Sequence, residues 1–538
     1  MARPTHISIY DSTLRDGSQG GGVSFSLSDK IRIARALDNF GIDYVEGGWP
    51  GSNPKDAEFF TQMRRKPLQH ARLVAFGATC RAGSRPEDDA NLQALLEAGT
   101  DVVAIVGKSW CLHVQEVLKV SLKANLRMVA DTVAYLAGQG REVIFDAEHF
   151  FDGYQADREY ALEVLQTARR AGAATLVLCD TNGGTLPDDL AHICAEVREA
   201  VPSIPLGIHC HNDSGCAVAG SLLAVRAGCT QVQGCLNGYG ERCGNADLCA
   251  IIPALSLKMG CECLADSANL PRLTWLSRML SELTVQREMP NQPYVGRMAF
   301  AHKGGMHVDA VTKNPRTFEH VDPEIVGNQR HFLLSEHAGL SSVLEKATEQ
   351  SLDIPGAEAR GVLELLKQKE AEGYSYEAAE ASFRLLVDKF LGRSRPHFSL
   401  EGFRVIVEKR SLTEDCLSEA TIKVNVNGRT ELTAAEGRGP VDALDLALRK
   451  ALGKFYPQLE RMQLRDFKVR ILDGSKGTAA QTRVLIESSD GGLRNWGTVG
   501  LSENIIEASW QALLDSVEFL LGQGLDNGQE DKHDDEEQ

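Results

Sequence analysis

The sequence predicts an α/β protein built on a (β/α)₈ barrel, and three observations point there. From residue 7 to about 275, short β-rich runs alternate with amphipathic helical stretches. Eight β-α units in roughly 270 residues match such a barrel in number and length. The residues able to do chemistry fall just past the C-terminal ends of the runs, which in a barrel is a single face. An open, doubly wound sheet is the alternative, because periodicity alone does not reveal closure.

The runs are Ile7–Asp11, Tyr44–Gly47, Leu73–Phe76, Val102–Val106, Val143–Asp146, Thr175–Asp180, Leu206–His211 and Gln231–Leu236. Amphipathic segments between them include Ser28–Asn39, Asp157–Ala171, Asp188–Ala200 and Cys216–Ala227. The polar residues at the run ends are Arg15-Asp16, Glu46, Asp146 and Glu148, Asp180-Thr181, His209 and His211, and Asn237.

Residues 276–395 read as a helical accessory region, with helical patterns over Leu273–Thr284, Ser341–Glu349, Ala357–Glu372 and Tyr376–Leu391. These surround one glycine-rich segment, His302-Lys303-Gly304-Gly305-Met306-His307, and Gly392-Arg393-Ser394-Arg395-Pro396 is a plausible linker. Residues 396–522 form an α+β domain with an internal duplication: three strand-like runs then a helix, twice over. The runs are Phe403–Glu408, Glu419–Val426 and Arg429–Ala434 before a helix at Val441–Leu452, then Asp466–Leu472, Thr482–Ser488 and Asn495–Gly500 before one at Asn504–Leu521. The remainder, 523–538, is an acidic tail: Asp526–Gln538 holds seven acids against one lysine and no packing residues, a composition of disorder.

The 538 residues exceed one ordinary domain, and 43% hydrophobic with 24% charged residues is typical of a globular enzyme. A net charge of −17 without a basic stripe argues against nucleic-acid binding. No run approaches a membrane span of roughly 18 apolar residues, and no signal peptide precedes the first strand. Thirteen cysteines without framework spacing suit a reducing cytoplasm. Cys261-Glu262-Cys263 reads either as a metal clip or as a stray pair.

In His209-Cys210-His211 the two imidazoles lie at i and i+2 of a strand, so both project from one face. With the Asp16 carboxylate they can hold a divalent metal and leave positions open. Arg15 adds a fixed cation able to grip an oxygen. Glu148 lies just past the fifth run and is flanked by aromatics, a setting that can raise a carboxyl pKa; a salt-bridged rim residue is the other reading. The Thr181 hydroxyl either binds a substrate carboxylate or caps a helix. Asn237-Gly238-Tyr239-Gly240-Glu241-Arg242-Cys243-Gly244-Asn245 is a plain polar turn or part of the site's rim, with Asn245 as a further oxygen ligand. Gly439 and Pro440 at a helix start either begin an ordinary helix or leave amides open to a carboxylate.

The Leu-Arg-Asp-Gly-x-Gln segment ending at Gln19, the His-x-His-Asn-Asp segment from His209 and the Gly-Glu-Arg-x-Gly-Asn segment from Gly240 resemble the metal-dependent TIM-barrel acyltransferases and lyases. That superfamily includes the 2-isopropylmalate, homocitrate and citramalate synthases. Gly437-Arg438-Gly439-Pro440-Val441-Asp442-Ala443-Leu444 resembles the regulatory domain of 2-isopropylmalate synthases, so the likeness covers all but the tail. Phe145–Tyr154 and Lys303–Val308, followed by Asn314-Pro315, are most similar to the long-chain (R)-citramalate synthase branch.

The resemblance implies Claisen condensation of acetyl-CoA with pyruvate. Asp16, His209, His211 and Asn245 would hold the metal (Mg, Mn or Zn), and Arg15, Gln19 and Thr181 would bind the keto acid. Asn237, Gly238, Gly240, Glu241 and Arg242 would form the rim toward CoA. Glu148, with His307 from the partner of a homodimer, would manage protons. Isoleucine is the implied feedback inhibitor, with Gly439 and Pro440 near its site. Phe318 departs from the family, whose members often carry tyrosine before Glu-His. A 2-isopropylmalate or homocitrate synthase is the nearest alternative within enzymes. A lyase is disfavoured by the C-terminal domain. A non-catalytic metal- or amino-acid-binding regulator is disfavoured because Arg15, Asp16, Glu148, His209 and His211 are all intact.

Overall fold

The computed structural model describes residues 6–526 apart from 285, 287, 334–346, 348–351, 410, 412–414, 473–476, 478 and 493. The chain forms two compact units, residues 1–300 with 321–330, and residues 301–320 with 331–538.

In the first unit eight parallel strands close on themselves: β1 Ser8–Asp11, β2 Tyr44–Gly48, β3 Arg72–Ala78, β4 Val102–Lys108, β5 Glu142–Glu148, β6 Thr175–Asp180, β7 Leu206–Cys210 and β8 Gln231–Gly234. Pairing of Ser8–Asp11 with Gln231–Gly234 closes the ring and excludes the open sheet. Side chains alternate across each strand. Val102 and Ala104 of β4 join Tyr10, Val74, Ile144 and Val177 in a cluster inside the barrel. Val103 and Ile105 face outward and pack in the larger core under the helices. With both faces buried, the strands read as near-continuous apolar runs.

The helices follow local rules. In Leu27–Phe40, the Ser26 hydroxyl accepts from the Asp29 amide while the Asp29 carboxylate accepts from the Ser26 amide, a reciprocal cap. Ile33, Ala34, Leu37 and Phe40 form the buried stripe, and Gly41, at φ 98°, stops the helix. Glu148 proves to be the last residue of β5 rather than a residue past it.

The second unit contains the helices Gly305–Lys313, Ala359–Glu372 and Glu380–Phe390. Two three-stranded antiparallel sheets follow: β11 Ser399–Glu408, β12 Leu417–Val426 and β13 Arg429–Gly437, then β14 Gln463–Ile471, β15 Thr482–Ser489 and β16 Asn495–Ser502. β9 Ala301–His302 and β10 His331–Phe332 make a short parallel pair earlier in the unit. The helices Pro440–Leu452 and Ile505–Asp526 follow the two sheets, so both halves share one order of elements, as the duplication required. Ala420, Ile422, Val424 and Val426 alternate on β12 and share a core with Leu444, Leu448, Trp496 and Trp510. The expected helix over Ser341–Glu349, Ala347 apart, and most of the acidic tail lie outside the described residues. No described helix is long and apolar enough to cross a membrane.

Candidate active site

The C-terminal ends of the strands surround a cavity of about 520 Å³, whose lining includes Arg15, Asp16, Glu148, Thr181, His209 and His211. The loop after β1 is shaped by its own polar groups. The Asp11 carboxylate accepts from the Thr13 amide (3.0 Å) and hydroxyl (2.8 Å), and the Thr13 oxygen accepts from the Leu236 amide (2.9 Å). This ties the loop bearing Arg15 and Asp16 to the end of β8, and burial pushes the Asp11 carboxyl up to about 7.

Asp16, His209 and His211 are buried together. Asp16 Oδ2 lies 3.3 Å from His209 Nε2 and 3.9 Å from His211 Nε2, and the two imidazole nitrogens are 3.4 Å apart. Among the described residues this is the one cluster of three or more His, Cys, Asp or Glu donors placed to hold a metal, so Cys261 and Cys263 form no such clip. Donors sharing one ion at ~2.1 Å stand roughly 3.0–3.4 Å apart, close to the separations found here. Burial opposes ionisation of Asp16, but the Arg15 cation and the His209 hydrogen bond outweigh it and hold the carboxyl well below the usual range. Burial, then the neighbouring His209, pushes His211 down to about 4, which leaves its ring neutral and able to ligate at ordinary pH. Burial lowers His209 too, but the hydrogen bond and charge of Asp16 reverse the sign and raise it.

Asn245 faces His211 across an antiparallel bridge. Its Nδ2 donates to the Tyr239 carbonyl at 3.0 Å, while Oδ1 is buried with no hydrogen-bond partner. An orphaned amide oxygen beside a carboxylate and two imidazoles fits a fourth metal donor. Gly240, at φ 154°, carries the close approach, since a Cβ there would meet Asn245 Nδ2 at 2.2 Å.

Arg15 is held on three sides. Its Nε donates to Glu46 Oε2 at 2.7 Å, its Nη1 lies 3.5 Å from Asp16 Oδ1, and its guanidinium sits 3.8 Å above the Phe76 ring. Tyr10 donates to the other Glu46 oxygen at 2.7 Å. Thr181 Oγ1 accepts from the His149 amide at 2.8 Å, which leaves the hydroxyl hydrogen available to a ligand. His149 adopts the left-handed conformation at φ 54° to make that bond. Gln19 is exposed within the cavity lining.

Several expectations change. Glu148 is paired with Lys108, its register neighbour on β4, while Phe150 and Phe151 are buried in the outer core. The expected aromatic surroundings are therefore replaced by a cation. Asn237 does not face the cavity: its amide donates to the Ser277 carbonyl at 2.9 Å and its oxygen accepts from the Ser277 hydroxyl at 2.6 Å. It anchors the helix Leu273–Glu282 rather than the rim. Arg242 grips Asp213 through Nε (2.8 Å) and Nη2 (3.0 Å) and the Thr181 carbonyl through Nη2 (2.8 Å); it and Glu241 line the cavity mouth. Gly238, at φ 63°, shapes the same turn.

His307 lies in the second unit, on the helix Gly305–Lys313, with its ring 4.1 Å from that of Phe318. The residue that departs from the family pattern thus supplies an aromatic face in place of a hydroxyl. Gly439 caps the helix Pro440–Leu452, but the Arg438 amide already donates to the Asp442 carboxylate at 2.8 Å, so the entry holds an anion of its own.

Missed by the sequence reading were Lys108 and Gln233. Gln233 bridges His209 and Asp146, whose carboxyl is pushed up to about 7 by burial and then by Glu46. A signal existed for Gln233: Gln231-Val232-Gln233 alternates, and a glutamine in a strand buried on both faces requires a partner.

Three family models match: HMGL-like over residues 6–279, the homocitrate synthase post-HMGL domain over 294–373, and the LeuA allosteric (dimerisation) domain over 377–521. Over 517 residues the chain is 53% identical to the (R)-citramalate synthase of Geobacter sulfurreducens, covering 96% of this chain and 97% of that one. It is 53% identical over 540 residues to that of Synechocystis sp., covering 98% of each. A 2-isopropylmalate synthase of Pyrococcus furiosus is 31% identical over 522 residues, covering 96% of this chain and 99% of the other. With the strand-end site intact and this similarity running through every segment, the chain belongs to the (R)-citramalate synthase family of HMGL-like barrel enzymes.

Proposed function

We propose that this protein condenses acetyl-CoA with pyruvate and water to give (R)-citramalate and CoA. The observation that carries the reading is one strand-end cavity joining Asp16, His209 and His211 to Arg15 and Thr181, with Asn245 bridged to His211, in a chain 45–53% identical over about the same length to five (R)-citramalate synthases. A divalent metal held by Asp16, His209, His211 and Asn245 supplies Lewis-acid polarisation of the keto acid.

The remaining work falls to side chains. Thr181 donates its hydroxyl hydrogen to the pyruvate carboxylate, and Gln19 closes the same end. Glu148 takes a proton from the acetyl methyl group, whose carbon then bonds to the keto carbon. Arg15 cannot turn away from its partners, so its charge is preorganised for the oxyanion that develops on the keto oxygen, and that oxygen then takes up the proton Glu148 removed, leaving the alcohol. Water then adds to the thioester, the C–S bond breaks, and CoA leaves as the thiol. His307, brought by the partner of a homodimer, assists this hydrolytic step. Phe76 lies against Arg15 and Val106 lines the same cavity, bulk that would suit a methyl better than an isopropyl group. Residues 1–275 are thus the catalytic domain, 276–395 the accessory region and 396–522 a regulatory domain responsive to isoleucine, in a cytoplasmic enzyme. Chiral chromatography of the product from acetyl-CoA and pyruvate tests the assignment: (R)-citramalate is expected, and its absence with metal supplied would contradict it.

A further inference from the structure

Gln233 stands between two groups that fix which way its amide points. Its Oε1 lies 3.0 Å from Nδ1 of His209, and its Nε2 lies 3.1 Å from Oδ1 of Asp146. All three side chains are buried, Gln233 almost completely. A carboxylate oxygen only accepts, so the NH₂ end of Gln233 must face Asp146 and its carbonyl end must face His209. That carbonyl also only accepts, so His209 Nδ1 carries the hydrogen. Whenever the ring is neutral, its lone pair then sits on Nε2, the atom 3.3 Å from Asp16 and 3.4 Å from His211 Nε2.

We infer that Asp146 and Gln233 are positioning residues, a buried relay that sets His209 in the tautomer able to ligate a metal. The inference rests on the metal reading of Asp16, His209 and His211 given above. Gln233 alone would not achieve this, because an isolated amide can turn over and present either end. Direction comes from the anion at the far end. The relay serves one ligand only: Nδ1 of His211 is buried with no partner. The two imidazoles, two positions apart in sequence and equally buried, are therefore oriented by different means, and His209 is the one whose lone pair is assigned in advance.

The relay can be rebuilt with its charge moved, which separates direction from packing. In the double variant Asp146→Asn with Gln233→Glu, the new amide donates to the new carboxylate, and that carboxylate accepts from His209 Nδ1. Order of donors and acceptors is preserved while the negative charge moves one residue closer. The probe is Co²⁺ added to metal-stripped full-length protein at pH 8, above the value of about 7 to which Asp146 is raised. Affinity is read by chelator competition, and ligation by the visible absorption of bound Co²⁺. Gln233→Met should weaken binding by ~10- to 100-fold. Asp146→Asn, nearly isosteric and one link further along the relay from His209, should weaken it less, since asparagine can offer Gln233 either end. The swapped pair should recover most of the wild-type affinity and its absorption spectrum. Wild-type affinity in Gln233→Met, or a swapped pair that binds as weakly as Gln233→Met, would overturn the relay. Wild-type protein that takes up no Co²⁺ would instead overturn the metal site, and the relay with it.

Discussion

At the scale of single residues, what distinguishes this site is how little freedom its charged groups retain. Arg15 is fixed by Glu46, Asp16 and Phe76, and Glu46 is fixed in turn by Tyr10. Arg15→Ala should therefore leave metal binding in place and lower turnover by ~10²-fold or more, because a preorganised donor to a developing oxyanion is lost. Near-normal kcat would contradict that role. His209→Ala or Asp16→Ala should abolish turnover and metal uptake with little change in the far-ultraviolet circular dichroism, since neither side chain belongs to the barrel's hydrophobic cores. Phe76→Ala opens the wall beside Arg15, and should raise kcat/KM for 2-ketoisovalerate relative to pyruvate; an unchanged ratio would place the specificity wall elsewhere. The residue types were legible in the sequence because metal ligation and anion binding demand particular chemistry at strand ends. Their partners were not. Glu148's pairing with Lys108 depends on register between β4 and β5, and Asn237's turn toward Ser277 depends on a helix forty residues on. Neither is encoded in local spacing.

Elements were readable where period and caps agreed. All eight barrel strands were expected, because runs such as Val102–Val106 are apolar on both faces, as a strand buried on both sides must be. Closure was not readable, because the pairing of β1 with β8 joins residues more than 200 apart. The last helix, Ile505–Asp526, carries a consequence that only burial reveals. Burial raises the Asp515 carboxyl from 3.8 to about 6; the Ser382 hydroxyl, donating at 2.5 Å, opposes the shift, Glu518 adds to it and Lys389 opposes it. The folded state thus binds the Asp515 proton more tightly than the unfolded state does. Between pH 4 and 6 the unfolded state holds fewer protons, so stability falls as pH rises through that window. The cost, roughly 3 kcal/mol, is complete above pH 6. Asp515→Asn keeps a partner for Ser382 and should raise the Tm of this unit at pH 8 but not at pH 4. An equal change in Tm at both pH values would contradict the account.

For the molecule as a whole, the division of labour follows from family segments that run end to end: an HMGL-like barrel, a post-barrel segment and a LeuA-type domain. Control by isoleucine would have to act by binding two arrangements of the protein with different affinities. Near the helix entry at Gly439 and Pro440, the Asp442 carboxylate accepts from the Arg438 amide. Calorimetric titration of the full-length protein should show binding of isoleucine in preference to leucine, and no heat from either would remove the regulatory reading. The central claim, however, concerns what the barrel does. The most direct test is free-CoA release from acetyl-CoA with pyruvate, 2-ketoisovalerate and 2-ketoglutarate in turn, under saturating divalent metal. The account predicts a kcat/KM for pyruvate well above those for the other two, and a preference for 2-ketoisovalerate would contradict it.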